Sequence, residues 1–279
     1  MNHPKVVFFM MAIFTITCCK KQESKEIPKS EPVEVNQTPK VVEKTIKYTV
    51  SGKNYQSFVA YSGGDTASKP VVFIIPEWWG LNEYIKYRAR KLAELGYFVM
   101  ALDFYGDGKL AITPQLAKDE SEPFYRSPEL GLQAFKAGES QLNKYPNADQ
   151  TRMAVMGYCF GGAQALNLGR QIGSLKGVIS FHGNLMTGVK PNNSTVKYLV
   201  LNGGADKFVS QSEINDFKYQ MDSAKINYQL IVYPGALHAF TNPSATEVGK
   251  KYNIKIGYNA DADEKSWEEL VRFLSQIFH

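Results

Sequence analysis

Short apolar, β-branched runs at residues 71–75, 98–102, 153–156, 177–181, 198–201 and 229–233 lack polar alternation. That is the pattern of strands covered on both faces. Between them, residues 83–95, 128–142, 162–170, 212–223 and 265–278 predict helices. Strands alternating with helices in this rhythm predict an α/β fold, a mostly parallel, doubly wound sheet with helices on both faces. Ahead of it, residues 45–50 and 55–61 are β-prone runs separated by Ser51-Gly52-Lys53, which predicts an N-terminal antiparallel hairpin at one sheet edge. Residues 110–127 show no clear pattern, and their expected place is over the ligand pocket.

The opening of the chain follows another logic. Lys5 precedes an apolar run over residues 6–16, too short to span a bilayer and followed at once by Thr17, Cys18, Cys19, Lys20 and Lys21. This resembles a bacterial lipoprotein signal over residues 1–19, with lipidation at Cys19 or, alternatively, Cys18. Ile16, three residues before Cys19, favours Cys19. An ordinary secretory signal or an uncleaved anchor is the competing reading, and each would still put the domain outside the cytoplasm. Residues 20–44, rich in Lys, Glu, Gln, Ser and Pro, read as a flexible tether, which leaves residues 45–279 as the folded domain. The expected location is the cell envelope, with a lipid anchor joining the chain to a membrane.

Of three cysteines, two lie in the signal, so Cys159 is the one thiol of the folded part. A free cysteine in an oxidising compartment is buried or employed. The 32 basic and 27 acidic residues are interspersed, giving a net charge of +5 and no basic stripe for nucleic acid. At 279 residues and 44% hydrophobic content the chain can bury a large core.

Ligands of such sheets bind beyond the carboxyl ends of the strands. There, Gly157-Tyr158-Cys159-Phe160-Gly161-Gly162 joins a predicted strand to a helix as a nucleophile elbow, with cysteine where serine is commoner. The helix N-terminus would favour a thiolate. A buried structural cysteine in a glycine-rich turn is the alternative. Only four histidines exist, and His3 and His279 sit at the chain ends. His238, in the loop after the last predicted strand, is the candidate base. His182, at the end of an earlier strand, would line the pocket or hydrogen-bond a loop. Asp206, after the strand at 198–201, is the candidate orienter of the imidazole. The order nucleophile, acid, histidine is that of α/β-hydrolases. Glu77, in Ile75-Pro76-Glu77-Trp78-Trp79-Gly80, reaches the same edge and should be partly desolvated among aromatic rings.

At these motifs, from about Tyr48 onward, the chain resembles the dienelactone hydrolase (carboxymethylenebutenolidase) family of α/β-hydrolases. The resemblance implies a triad of Cys159, Asp206 and His238. It also implies that Glu77 contacts the cysteine in the resting enzyme and helps form the thiolate, and that the backbone N–H groups of Phe160 and Trp78 form the oxyanion hole. Family members that act on dienelactone carry arginines where this chain reads Asp103-Phe104-Tyr105-Gly106-Asp107-Gly108-Lys109 and Phe240-Thr241-Asn242-Pro243, without arginine. Lys109 could supply a point charge instead. Trp79, Tyr105, Lys109, Tyr158 and His182 are the pocket candidates.

The expected activity is hydrolysis of a small ester or lactone through an acyl-enzyme, without metal or organic cofactor and as a monomer. A broader esterase or thioesterase is the alternative within enzymes. A non-catalytic surface binding protein on the same fold, using Trp78, Trp79 and Tyr105 as a platform, is the alternative outside them.

Overall fold

The computed structural model describes Met1 and residues 40–64, 66–185, 188–192 and 195–279. The expected signal with Cys18 and Cys19, and most of the expected tether, lie outside the described residues. Among the described residues, no helix is long and apolar enough to cross a membrane.

Strands β1 (Val41–Val50) and β2 (Lys53–Ser62) form the predicted hairpin, followed by β3 (Lys69–Ile75), helix α1 (Glu83–Glu94) and β4 (Phe98–Ala101). Helices α2 (Pro114–Arg126) and α3 (Pro128–Glu139) precede β5 (Ala148–Tyr158), α4 (Phe160–Gln171), β6 (Gly177–Phe181) and β7 (Lys197–Gly203). The chain ends with α5 (Gln211–Ser223), β8 (Tyr228–Tyr233), α6 (Ala245–Tyr252) and α7 (Ala260–Phe278). The eight strands make one sheet in the order β1-β2-β4-β3-β5-β6-β7-β8. Pairing is antiparallel from β1 to β2 and from β2 to β4, and parallel from β4 onward.

The hairpin turns on Ser51 and Gly52, with φ of 51° and 77°, the positive values that two-residue turns need to follow the strand twist. Strand β1 begins at Val41, paired with Ser62, so the last four residues assigned by composition to the tether belong to the domain. Glu43 and Lys44 continue the charged composition of the preceding residues, and an edge strand tolerates such charge on its open side.

Alternate residues of β3 serve different layers. Val71, Phe73 and Ile75 join a core beneath α2, α3, α4 and α5, whereas Val72 and Ile74 join one beneath α1 and α7. Helices on both faces leave every central strand buried, which explains why those runs are apolar throughout, whereas the run at 229–233 forms the edge strand β8 and leaves Gln229 and Val232 exposed. Phe73 lies edge-to-face with Phe135 at 4.7 Å, and truncating such a buried ring costs about 3–5 kcal/mol. Helices α1, α2, α5 and α7 start at Asn82, Thr113, Ser210 and Asn259, whose side chains each accept a first-turn N–H.

Candidate active site

Five strands in succession across the sheet, β3, β5, β6, β7 and β8, release Glu77, Cys159, His182, Asp206 and His238 just beyond their carboxyl ends. At the end of β5 the chain turns into α4 at Cys159, whose φ is 54°. The turn leaves no room for neighbouring side chains: a Cβ on Gly157 would lie 2.1 Å from the Gly161 carbonyl oxygen, and one on Gly161 would lie 2.2 Å from that of Ile75. The glycines around the cysteine are therefore steric requirements.

The loops after β7 and β8 are joined by backbone bonds, Gly204 N to Tyr233 O at 2.7 Å and Ala205 N to Ala236 O at 2.9 Å. These bonds hold Asp206 beside His238. Asp206 Oδ1 accepts the Phe208 N–H at 2.7 Å, and Oδ2 meets His238 Nδ1 at 2.8 Å. His238 Nε2 lies 3.0 Å from Cys159 Sγ. Carboxylate, imidazole and sulfur thus form one continuous line. Burial works against charge on His238, but its interactions with Cys159 and with the Asp206 carboxylate outweigh it and raise its pKa to about 10.

Glu77 is 2% exposed. Burial raises its carboxyl pKa to about 7, against the opposing pull of the Asn242 hydrogen bond, His238 and Arg88. Asn242 Nδ2 donates to Glu77 Oε2 at 2.8 Å, while Asn242 Oδ1 accepts from Ser244 N at 3.0 Å. The second bond fixes which end of the amide faces Glu77.

A cavity of about 510 Å³ opens onto these groups, lined by Glu77, Cys159 and His238 together with the aromatic walls of Trp78, Trp79, Phe160 and Phe208. Helix α2 closes one side with Lys118, Glu122 and Tyr125. Among the described residues, no backbone hydrogen bond runs from the Phe160 N–H or the Trp78 N–H to another element. No group of three or more His, Cys, Asp or Glu side chains that could hold a metal ion forms among the described residues.

The family model for dienelactone hydrolases matches residues 58–278. The chain belongs to the dienelactone hydrolase family. Relatives include proteins named "Putative carboxymethylenebutenolidase" from Escherichia coli K12, 26% identical over 81% of this chain and 83% of that one, and from Saccharolobus solfataricus, 27% identical over 85% and 99%. Among solved structures, a dienelactone hydrolase-like promiscuous phosphotriesterase from metagenomic libraries superposes with a TM-score of 0.77 at 26% identity, covering 86% of this chain and 99% of that one. The Klebsiella pneumoniae dienelactone hydrolase-like structure, at 20% identity and TM-score 0.72 over 85% and 99%, shares the α/β-hydrolase fold.

Several expectations need correction. Glu77 bonds Asn242 and the sulfur bonds His238, so the expected resting contact between Glu77 and Cys159 is not the arrangement found. Of the pocket candidates, Trp79 lines the cavity and the other four do not. Tyr105 is buried and donates to the Trp78 carbonyl at 2.9 Å, supporting the peptide from behind. Tyr158 faces the core, stacked on Phe181 at 4.7 Å. Lys109 pairs with Glu120 at 3.3 Å on the surface. His182 is fully buried and takes the second of its two expected places, bonding the loop at Thr241. The sequence reading missed Asn242, Phe208 and the α2 residues. Phe208 follows Asp206 by two positions, and Asn242 follows His238 by four, so proximity to the motifs was the available signal.

Proposed function

We propose that this member of the dienelactone hydrolase family cleaves a carboxylic ester or lactone by acyl transfer through Cys159, with His238 as base and acid and Asp206 as orienter. The observation that carries the reading is the unbroken line from Asp206 through His238 to the Cys159 sulfur, at 2.8 and 3.0 Å. In this reading the thiolate attacks the carbonyl carbon, and the oxyanion accepts the N–H groups of Phe160 and Trp78. The His238 imidazolium gives its Nε2 proton to the departing oxygen, leaving a thioester on Cys159. His238 then takes a proton from water, whose oxygen attacks the thioester. The acid departs, and the thiolate–imidazolium pair is restored.

Glu77 enters as a carboxyl whose pKa is raised to about 7 in the same cavity as the sulfur, able to exchange a proton with the site as substrate enters. The aromatic walls suit an apolar acyl or alcohol portion. The likeness to a promiscuous phosphotriesterase favours a second reading, phosphotriester cleavage, because the same N–H pair would serve a phosphoryl oxygen.

Purified wild type and Cys159→Ala should be compared on p-nitrophenyl esters, small lactones and an aryl phosphotriester. Turnover of esters or lactones by wild type alone, with a mass increase on the Cys159 peptide in quenched samples, is expected. Undiminished turnover by the alanine variant refutes the assignment.

A further inference from the structure

His182 is fully buried, and its backbone φ is 40°, a left-handed value in a residue other than glycine. Cys159, at the end of the neighbouring strand, is left-handed as well, at 54°. Each such residue costs on the order of 1–3 kcal/mol and persists where the surroundings over-determine it. Here the two strained turns are bonded to each other. The Cys159 backbone N–H, which donates to Phe181 O at 2.9 Å, also donates to His182 Nδ1 at 3.1 Å.

A ring nitrogen that accepts carries no proton, so the neutral imidazole holds its proton on Nε2. That nitrogen lies 2.9 Å from Thr241 Oγ1 and therefore donates to it. Burial first, and then the positive charges of His238 and Arg88, keep His182 well below the ordinary histidine range, consistent with this neutral form.

Thr241 stands three residues beyond His238 in the same loop. Its hydroxyl also meets the Tyr84 hydroxyl at 2.7 Å, and its carbonyl accepts from Arg88 Nη2 at 2.6 Å. Arg88 is in turn paired with Asp263 at 2.5 Å, which ties α1 to α7. The nucleophile's strand β5 and the base's strand β8 are separated by β6 and β7, a span of roughly 14 Å at the usual strand spacing. Their side chains nevertheless meet at 3.0 Å, so something must fix one loop against the other.

We propose that His182 is a positioning residue, a staple between the Cys159 elbow and the His238 loop that sets the separation of sulfur and imidazole. Its two nitrogens take one end of the staple each, the acceptor on the Cys159 N–H and the donor on Thr241. The His182 ring also lies edge-on to the His238 ring, with centroids 5.2 Å apart, and limits its tilt. The inference rests on the reading of Cys159 as nucleophile and His238 as base.

The test uses the full chain with Thr241→Val, which keeps the side-chain volume and removes the hydroxyl, His182→Phe, which keeps a ring and removes both bonds, and His182→Gln, which retains one acceptor and one donor. Four quantities are read: kcat per iodoacetamide-titratable Cys159, KM, Tm, and the pH midpoint of Cys159 alkylation followed by peptide mass. Thr241→Val and His182→Phe should lower kcat per titratable site by about 10- to 100-fold with KM little changed. The alkylation midpoint should move to higher pH, because a displaced imidazolium stabilises the thiolate less. His182→Gln should recover part of both.

A merely structural histidine would lower Tm and the titratable fraction while leaving kcat per site and the alkylation midpoint at wild-type values, and that result overturns the staple. If Thr241→Val alone keeps wild-type kcat and midpoint, the link to the loop is refuted even where the His182 variants fail to fold. Turnover retained by Cys159→Ala would defeat the hydrolase reading separately, since the alkylation midpoints report on the staple without any substrate.

Discussion

The strand-end wall of the cavity and the wall formed by α2 are held in different ways. Along the strand ends, Glu77, Asp206 and His238 are 2%, 7% and 6% exposed, and each has a hydrogen-bond partner. Along α2, Tyr125 is 39% exposed, Lys118 is exposed, and Glu122 holds Arg126 at 2.5 Å in a surface pair. Such pairs contribute about 0.2–1 kcal/mol, whereas breaking a buried charged hydrogen bond costs several times that. The strand-end wall is therefore fixed and suited to chemistry, and the α2 wall is adjustable and suited to selecting what enters. Substitutions on the two sides should separate cleanly, with stability and kcat on one and KM on the other.

The largest effect is expected where the strand ends pack most closely. Gly161→Ala would put a Cβ 2.2 Å from Ile75 O and 2.5 Å from Pro76 O, both rigid backbone next to Glu77. A cost above about 3 kcal/mol, or failure to fold, is expected. Gly173→Ala, in the loop after α4 with nothing within 4 Å of the added carbon, should change stability by less than about 0.5 kcal/mol. Urea denaturation of the two variants reads the difference directly. Equal stabilities would show that the elbow can yield, and the contrast between a fixed and an adjustable wall would fail.

A smaller, pH-dependent effect attaches to Glu77. Its pKa is raised from 4.5 to about 7, so between these values the unfolded chain has released a proton that the folded chain retains. Stability attributable to this group therefore falls as pH rises from about 4.5 to 7 and levels off above that. Glu77→Gln, which still offers an acceptor to Asn242, removes the penalty. The variant should gain up to about 3 kcal/mol over wild type at pH 8 and nothing at pH 4, while its pH–rate profile loses the limb near 7. A pH-independent stability difference would mean that Glu77 keeps an ordinary carboxylate pKa in the fold.

The fixed wall was also the legible one. Residues 157–162 announced the elbow because a residue at positive φ with close-packed neighbours demands glycines at defined positions. The buried strands announced themselves because both of their faces are covered. Helix α2 escaped notice for physical reasons: it buries only Ala117, Ser121 and Phe124, it exposes Leu116 and Tyr125, and Pro123 interrupts its hydrogen bonding. The buried positions keep the i, i+4, i+7 spacing of an amphipathic helix, but two of the three are the small Ala117 and Ser121, so few large apolar residues mark the stripe. Helix α6, eight residues long, was missed for want of length. His182 was found as a strand-end histidine, but its two partners, a backbone N–H and a hydroxyl two strands away, are set by topology and leave no local signature.

Tyr125 offers the mildest test of the adjustable wall. Its ring meets Phe160 edge-on, with centroids 5.7 Å apart, and its hydroxyl donates to Asn184 Oδ1 at 3.3 Å on the exposed side. Neither contact is to the His238 ring or the Asp206 carboxylate, although the Tyr125 hydroxyl lies within electrostatic range of the Cys159 sulfur. An aromatic contact of this kind is worth about 0.5–1.5 kcal/mol, which corresponds to about 2- to 10-fold in binding. Tyr125→Ala should therefore raise KM for aryl esters by about that factor and change kcat by less, the pattern of an interaction made mostly in the ground and transition states alike. Short-chain alkyl esters, with no ring to lay against Tyr125, should show a smaller change. A fall in kcat as large as the rise in KM would mean that α2 moves during the reaction and shares in the chemistry, and the division between the two walls would have to be redrawn.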